Sequence, residues 1–431
     1  MGIIQQKYRS CCFLRLDRKC QGRLRLKPGG AGFFAPFALL CIFLLAMTGP
    51  VRATEFLVNT TTLQSQTDPS VAALSGGDFV IAWVDGSSTV GDTSTSGLET
   101  AIRAQRFDLN DVKQGVEFLV NTTTADDQLA PCAAGLSGGG LVIAWMDRSS
   151  GFNNENIRAQ RFDVNGIKTG AELLVNATTA SRQSEPAAAA LTGGSFIIAW
   201  QDKSASGGDT SQEAIRAQRF NASGVPQGGE FLVNTTTAGA QTKPGIAALA
   251  GGGFVIVWED FSQTGGDSVD RAIRAQRYNA AGIKQGGEFL VNTTTSGKQS
   301  EPSVAPLQSG GFVVAWQDFS QTGGDTTGIA IRAQRFNASG VAQGGEFLVN
   351  TITTNDQQNP NVAELSGGGF VIAWEDLSGA EGGTTVVDVR AQRYGSSGVA
   401  EGGEFLVNTT TFLEQRTPSA AGLSGDRIII A

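Results

Sequence analysis

The same five-residue phrase returns seven times along the chain, and this constrains the fold more than any other feature. Glu-Phe-Leu-Val-Asn begins at Glu55, Glu117, Glu230, Glu288, Glu346 and Glu404, and Glu172 opens the same phrase with one change. Successive copies are 62, 55, 58, 58, 58 and 58 residues apart. Tryptophans stand at positions 83, 145, 200, 258, 316 and 374, one per interval, and Arg-Ala-Gln-Arg begins at Arg103, Arg158, Arg216, Arg274, Arg332 and Arg390. Three separate phrases keeping one period describe a structural unit repeated in space.

One unit, read from Pro302 to Asn350, contains four strand signals. These are Pro302 to Leu307, Phe312 to Trp316, Ile329 to Phe336 and Glu346 to Asn350, separated by Gly-, Ser- and Asn-rich turns. The second strand is apolar on both faces: Phe254, Ile256 and Trp258 project one way, Val255 and Val257 the other. A sheet with one wet face would alternate apolar with polar residues, so this strand is expected to be covered on both sides. Four antiparallel strands flanked by copies of themselves describe a β-propeller blade. A β-helix coil is much shorter than 58 residues and an immunoglobulin-type sandwich much longer. The expected fold is all-β, a propeller of four-stranded blades, with six full blades and a partial seventh. The repeats run near 55–116, 117–171, 172–229, 230–287, 288–345 and 346–403, with a short copy at 404–431. That last copy reaches Ala431, one position before its tryptophan is due. Two readings remain open: a fragment of a larger protein, or a ring whose seventh blade takes Glu55 to Asn59 as its outer strand and lacks another.

Residues 1–53 read differently. They hold nine of the 32 basic side chains and one acid, Asp17, followed by an apolar run from Phe33 to Met47 and small residues at Val51 and Ala53. This order is that of a secretory signal, cleaved before Thr54. It implies an extracellular, cell-surface or periplasmic protein with no membrane attachment after cleavage. The remaining body, 54–431, is strongly acidic and repels phosphate backbones, so nucleic acid is not an expected partner. Four of five cysteines fall in the leader, and Cys132 alone remains, so the body closes no internal disulfide.

The run Ile-Arg-Ala-Gln-Arg-Phe, a turn, then Gly-x-Glu-Phe-Leu-Val-Asn resembles the β-propeller-like repeat of large secreted bacterial surface proteins and exoproteins. The resemblance covers nearly all of 55–431 and implies a repeat fold without specifying an activity. Longer relatives carry calcium-binding nonapeptide repeats, and none occurs here.

The chain contains no histidine, which removes Ser-His-Asp and Cys-His catalysis and histidine-held metals. Acids recur two residues after each tryptophan, from Asp85 to Asp376, and are read as ion pairs with Arg103 and its equivalents. Three loops add a second acid seven residues on: Asp202 with Asp209, Asp260 with Asp267, and Asp318 with Asp325. Acidic, oxygen-only loops bearing glycine suit calcium, and these six residues are the candidate cation ligands. No other cofactor is expected. The recurring Asn-Thr-Thr phrases are also glycosylation sequons, though turn chemistry alone accounts for them. Blade topology places the acidic loops and the threonine-rich inter-blade links on one face, where a glycan or cell-surface ligand is expected to bind. Cys132, Arg148, Pro306 and Glu364 depart from the repeat without forming an acid–base set. The expected function is therefore a non-catalytic, secreted binding repeat; the alternative is an extracellular glycosidase-like propeller enzyme using carboxylates.

Overall fold

The computed structural model describes residues 12–16, 53–87, 99–267, 269–379, 387–410 and 414–431. The leader lies outside them, apart from a backbone strand at Cys12–Leu16 and the residue Ala53.

Each of the first six blades is one four-stranded antiparallel sheet whose strands follow sequence order, the fourth strand coming from the opening phrase of the next repeat. Blade four is representative: Gln241–Ala248, Phe254–Asp260, Ala272–Tyr278 and Phe289–Leu290. Register is tight along its middle, with Trp258 opposite Arg274 and Asp260 opposite both Gln241 and Ala272. The fourth strand is shorter than Glu-Phe-Leu-Val-Asn suggested. Phe289 and Leu290 form the strand, the Val291 N–H still donates to the Ile273 carbonyl at 2.8 Å, and then the Asn292 side chain takes over: its Oδ1 accepts the Ile273 N–H at 2.8 Å and its Nδ2 donates to the Thr294 carbonyl at 2.9 Å.

The seven first strands neighbour one another in order around a central channel, and Ala420–Leu423 closes back onto Gln66–Ala73. The seventh sheet is assembled from both sides of the body. Ala420–Leu423 and Arg427–Ile430 form one edge, Ala53–Leu57 is the outermost strand, and Cys12–Leu16 lies between. The expected loan of the stray first phrase to blade seven is thus observed, shifted by two residues, but the strand expected to be missing is supplied by Cys12–Leu16, so the sheet has four.

The core is a ring of seven apolar clusters, one at each blade seam. Phe254, Ile256 and Trp258 pack against blade three beside Ile197, Ile215 and Val233, while Val255 and Val257 pack against Phe312, Val314 and Trp316 of blade five. This is the two-faced covering that the apolar pattern demanded. The tryptophans are essentially buried in all six blades, and Phe254 stacks on Tyr278 with centroids 4.7 Å apart. Removing one such ring costs about 3–5 kcal/mol.

The second arginine of Arg-Ala-Gln-Arg ties blades together from outside. Arg277 Nη1 donates to the Ala338 carbonyl in the next blade's turn at 2.6 Å, and Arg161 donates likewise to Ala222. Gly340 sits in that turn at φ 78°, where a Cβ would lie 2.7 Å from Arg277 Nε, so both backbone and space call for glycine. The last seam is built differently: Arg427, standing where the other blades have Asp, Gly or Ser, donates to the Leu109 carbonyl and pairs with Asp111 at 2.5 Å.

Candidate functional site

The recurring acids after tryptophan are internal struts. Asp260 Oδ2 accepts Arg274 Nε at 2.5 Å and its Oδ1 accepts Gln241 Nε2 at 3.1 Å. Arg274 Nη1 continues to Glu288 at 3.2 Å, and Glu288 accepts the N–H groups of Thr235 and Thr236 in the preceding link. The same aspartate–arginine pair recurs from Asp85–Arg103 to Asp376–Arg390 at 2.5–2.7 Å. The sequence-based ion pair is therefore what these acids form. Burial alone would raise the Glu288 carboxyl, but the Thr235 and Thr236 donors outweigh it and hold the group below its ordinary value; Glu117, Glu172 and Glu346 behave alike.

The six candidate cation ligands occupy this network. Asp202, Asp260 and Asp318 face arginine, glutamine and serine donors. Asp209, Asp267 and Asp325 are buried and accept from Asn234, Asn292 and Asn350 Nδ2 at 2.9–3.1 Å and from loop N–H groups of Ser211, Val269 and Thr327. Among the described residues no three His, Cys, Asp or Glu side chains come together as a metal-sized group. The sequon asparagines Asn234 and Asn292 are 1% exposed, with their amides engaged inside the blade.

What the structure brings together lies elsewhere. Six of the first strands carry a bulge, and the residue at each, like Thr417 just ahead of the seventh first strand, has positive φ (50–54°) and precedes a proline: Asp68, Ala130, Glu185, Lys243, Glu301, Asn359 and Thr417. None is glycine, so each blade accepts a sparsely populated conformation at the same point. The bulges stand at the end of the blade that carries the acidic loops and links, since Gln241 at the strand start pairs with Asp260. Glu301, Asn359 and Thr417 line a central channel of about 460 Å³, and Pro186 and Pro244, next to Glu185 and Lys243, line it as well. A repetitive fold thereby brings side chains of different kinds to or beside one channel.

The ionisable groups concentrate in blades three to five. Lys243 Nζ pairs with Glu301 Oε1 at 2.5 Å, both groups partly exposed, and the Glu185 charge also acts on Lys243. Burial pulls the Lys243 ammonium down, but the attraction and hydrogen bond of Glu301, with Glu185 and Glu259, raise it above its ordinary value, so the cation is secure. Glu259 sits behind the pair, 1% exposed. It accepts the Glu301 N–H at 2.8 Å, Arg271 Nη1 at 3.0 Å and Thr242 Oγ1 at 3.3 Å. Burial raises its carboxyl despite those donors. Two aromatic rings flank this sector: Arg271 lies over Phe261 at 4.3 Å and Lys298 over Phe319 at 3.8 Å. The corresponding residues are Gly86, Arg148, Lys203 and Leu377 in the other full blades. A carboxylate, an amide and a hydroxyl lining one channel, with the Lys243 ammonium paired to that carboxylate, suit a polyhydroxylated ligand.

Sequence reasoning missed these residues although their signal was present. Each precedes the repeat's proline, and that single column reads Asp, Ala, Glu, Lys, Glu, Asn, Thr while its surroundings repeat. The departures singled out instead do not converge. Arg148 belongs to a blade-two loop, where it pairs with Asp127 at 3.1 Å. Pro306 and Glu364 sit at the far ends of their first strands, opposite Phe312 and Phe370. Cys132 lies on a first strand and lines the channel, with its thiol pushed up to about 12 by burial.

The sequence matches no protein-family model and no curated protein. Solved structures share the fold. The GH93 α-L-arabinofuranosidase of Fusarium graminearum in complex with arabinobiose aligns over 76% of this chain and 92% of its own, with 12% identity and a TM-score of 0.50. A mutant Fusarium graminearum α-L-arabinofuranosidase bound to an iminosugar inhibitor aligns over 77% and 94%, also at 12% identity and 0.50. A protein of unknown function from Dyadobacter fermentans aligns over 76% and 93%, at 12% identity and 0.47. The all-β propeller is shown. The expectation of a non-catalytic binding repeat is corrected to this extent: two of the solved propellers sharing this fold are α-L-arabinofuranosidases.

Proposed function

We propose that this chain is an extracellular glycoside hydrolase whose active site is the channel mouth in blades three to five. The carrying observation is the trio of bulge residues on adjacent blades, Glu185, Lys243 and Glu301, with the Lys243 ammonium pairing Glu301 and held cationic between the two acids. Glycosidic cleavage needs two carboxyl groups in different roles: one protonates the leaving oxygen, the other faces the positive charge that develops at the sugar carbon. Glu301, an ion-paired carboxylate open to the channel, is suited to the second role. Glu185, across Lys243, is suited to the first. Asn359 and Thr417 on the same mouth supply hydrogen bonds to sugar hydroxyls. Because acids predominate at the mouth, neutral oligosaccharides fit it better than uronate-rich ones. The arabinobiose complex of the solved arabinofuranosidase makes arabinose-containing oligosaccharides the first substrates to try. The basic and apolar leader with its small-residue end supports export.

The test is release of reducing sugar from arabinobiose and neutral arabino-oligosaccharides by the purified full chain, beside Glu301→Gln and Glu185→Gln. Each substitution is expected to lower turnover on the order of 10²-fold or more while the melt stays cooperative. Cleavage that survives both changes would remove these residues from the chemistry. A chain that binds the sugars without cleaving them would sink the hydrolase reading.

A further inference from the structure

One contact crosses the blade seams at the mouth with a constant sequence separation. The Glu301 N–H is accepted by Glu259 at 2.8 Å, the Asn359 N–H by Gln317 at 3.4 Å, and the Thr417 N–H by Glu375 at 2.6 Å, each pair 42 residues apart. The acceptor is always the residue after tryptophan, on the second strand of the preceding blade, and the donor is always the strained bulge residue. Val84, Met146 and Gln201 occupy the acceptor position in blades one to three, and among the described residues none of them accepts the N–H of the next blade's bulge residue. Glu259 and Glu375 are buried at 1% and 0% and are fastened from behind, Glu259 by Arg271 at 3.0 Å and Glu375 by Asn359 Nδ2 at 2.8 Å and Arg416 at 3.4 Å. A buried carboxylate or amide aimed at one backbone N–H satisfies a donor that the bulge takes out of the sheet ladder.

We infer that Glu259 is a positioning residue that locks Glu301 at the channel mouth through its backbone N–H, and that Gln317 and Glu375 do the same for Asn359 and Thr417. The three held residues all line the channel, on consecutive blades. They present a carboxylate, an amide and a hydroxyl as one rigid recognition arc for a polyhydroxylated ring. Ala130 and Glu185, which follow the blades with Val84 and Met146, lie outside the arc. Only the arc's effect on turnover rests on the hydrolase reading; the locking itself does not.

The experiment is amide hydrogen exchange at Glu301, read by NMR on the full chain, for wild type, Glu259→Gln and Glu259→Leu, with the Val257 amide as internal control. Glu259→Gln keeps an acceptor oxygen, as Gln317 does naturally, and is expected to leave Glu301 protected. Glu259→Leu is expected to speed exchange at Glu301 about tenfold while Val257 is unchanged, the effect of losing one buried hydrogen bond. An unchanged Glu301 amide in Glu259→Leu, or equal acceleration in Glu259→Gln, overturns the inference. Should Glu259→Leu not fold, Gln317→Met, which copies Met146, decides it at the Asn359 amide by the same two outcomes. If wild type cleaves sugars, Glu259→Leu should lower kcat and Glu259→Gln restore it. If wild type cleaves nothing while the exchange pattern holds, the hydrolase reading falls and the locking stands.

Discussion

Lys243 of blade four bonds Glu301 of blade five at 2.5 Å across the channel mouth, joining two residues that occupy the same place in their repeats. Only a break in the repeat's chemistry can place opposite charges there. Lys243→Met should lower turnover on neutral arabino-oligosaccharides on the order of 10²-fold, because the acids lose the charge between them. The melt should move little, since a partly exposed pair contributes about 0–1 kcal/mol. The Lys243 ammonium is raised above 10.5, so the pair's stabilisation is complete below that pH and is lost as pH rises through the higher folded value. An activity equal to wild type would remove Lys243 from the site.

Asp260 tests the struts. Asp260→Ala leaves Arg274 buried without its Nε partner, and urea unfolding should show a loss of about 3–5 kcal/mol. A loss below about 1 kcal/mol would mean that water or Glu288 compensates for the pair.

Acid should loosen the links. The carboxyls of Glu117, Glu172, Glu288 and Glu346 are held below 4.5 in the folded chain by their threonine donors. Depressed acids stabilise the fold above their unfolded value, and that contribution disappears as pH falls below 4.5 through the lower folded values. Melting temperature should therefore fall steeply in that window, and less steeply in Glu288→Gln. An identical profile for the variant would contradict the assignment.

Calcium bears on the paired loops. The oxygens of Asp260 and Asp267 already accept from Arg274, Gln241, Ser262, Val269 and Asn292, so a cation would have to displace those donors. Millimolar calcium is expected to leave the thermal melt unchanged. A rise that Asp267→Asn abolishes would establish the loops as cation sites by linkage.

The sequence by itself determined the blade. Period, strand order and the two apolar faces of Phe254 to Trp258 are local and repeated, and one antiparallel sheet covered on both sides satisfies them. The pairing of Asp260 with Arg274 was legible for the same reason: their strands adjoin in the chain. The mouth was not legible. Glu259 and Glu301 are 42 residues apart on different blades, and nothing between them signals the contact. The proline column looked like a strand start, whereas the strand begins earlier at Gln299 and bulges at Glu301. Only closure of the ring brings Glu301, Asn359 and Thr417 to one channel, because each blade fixes its own backbone but the channel belongs to all seven.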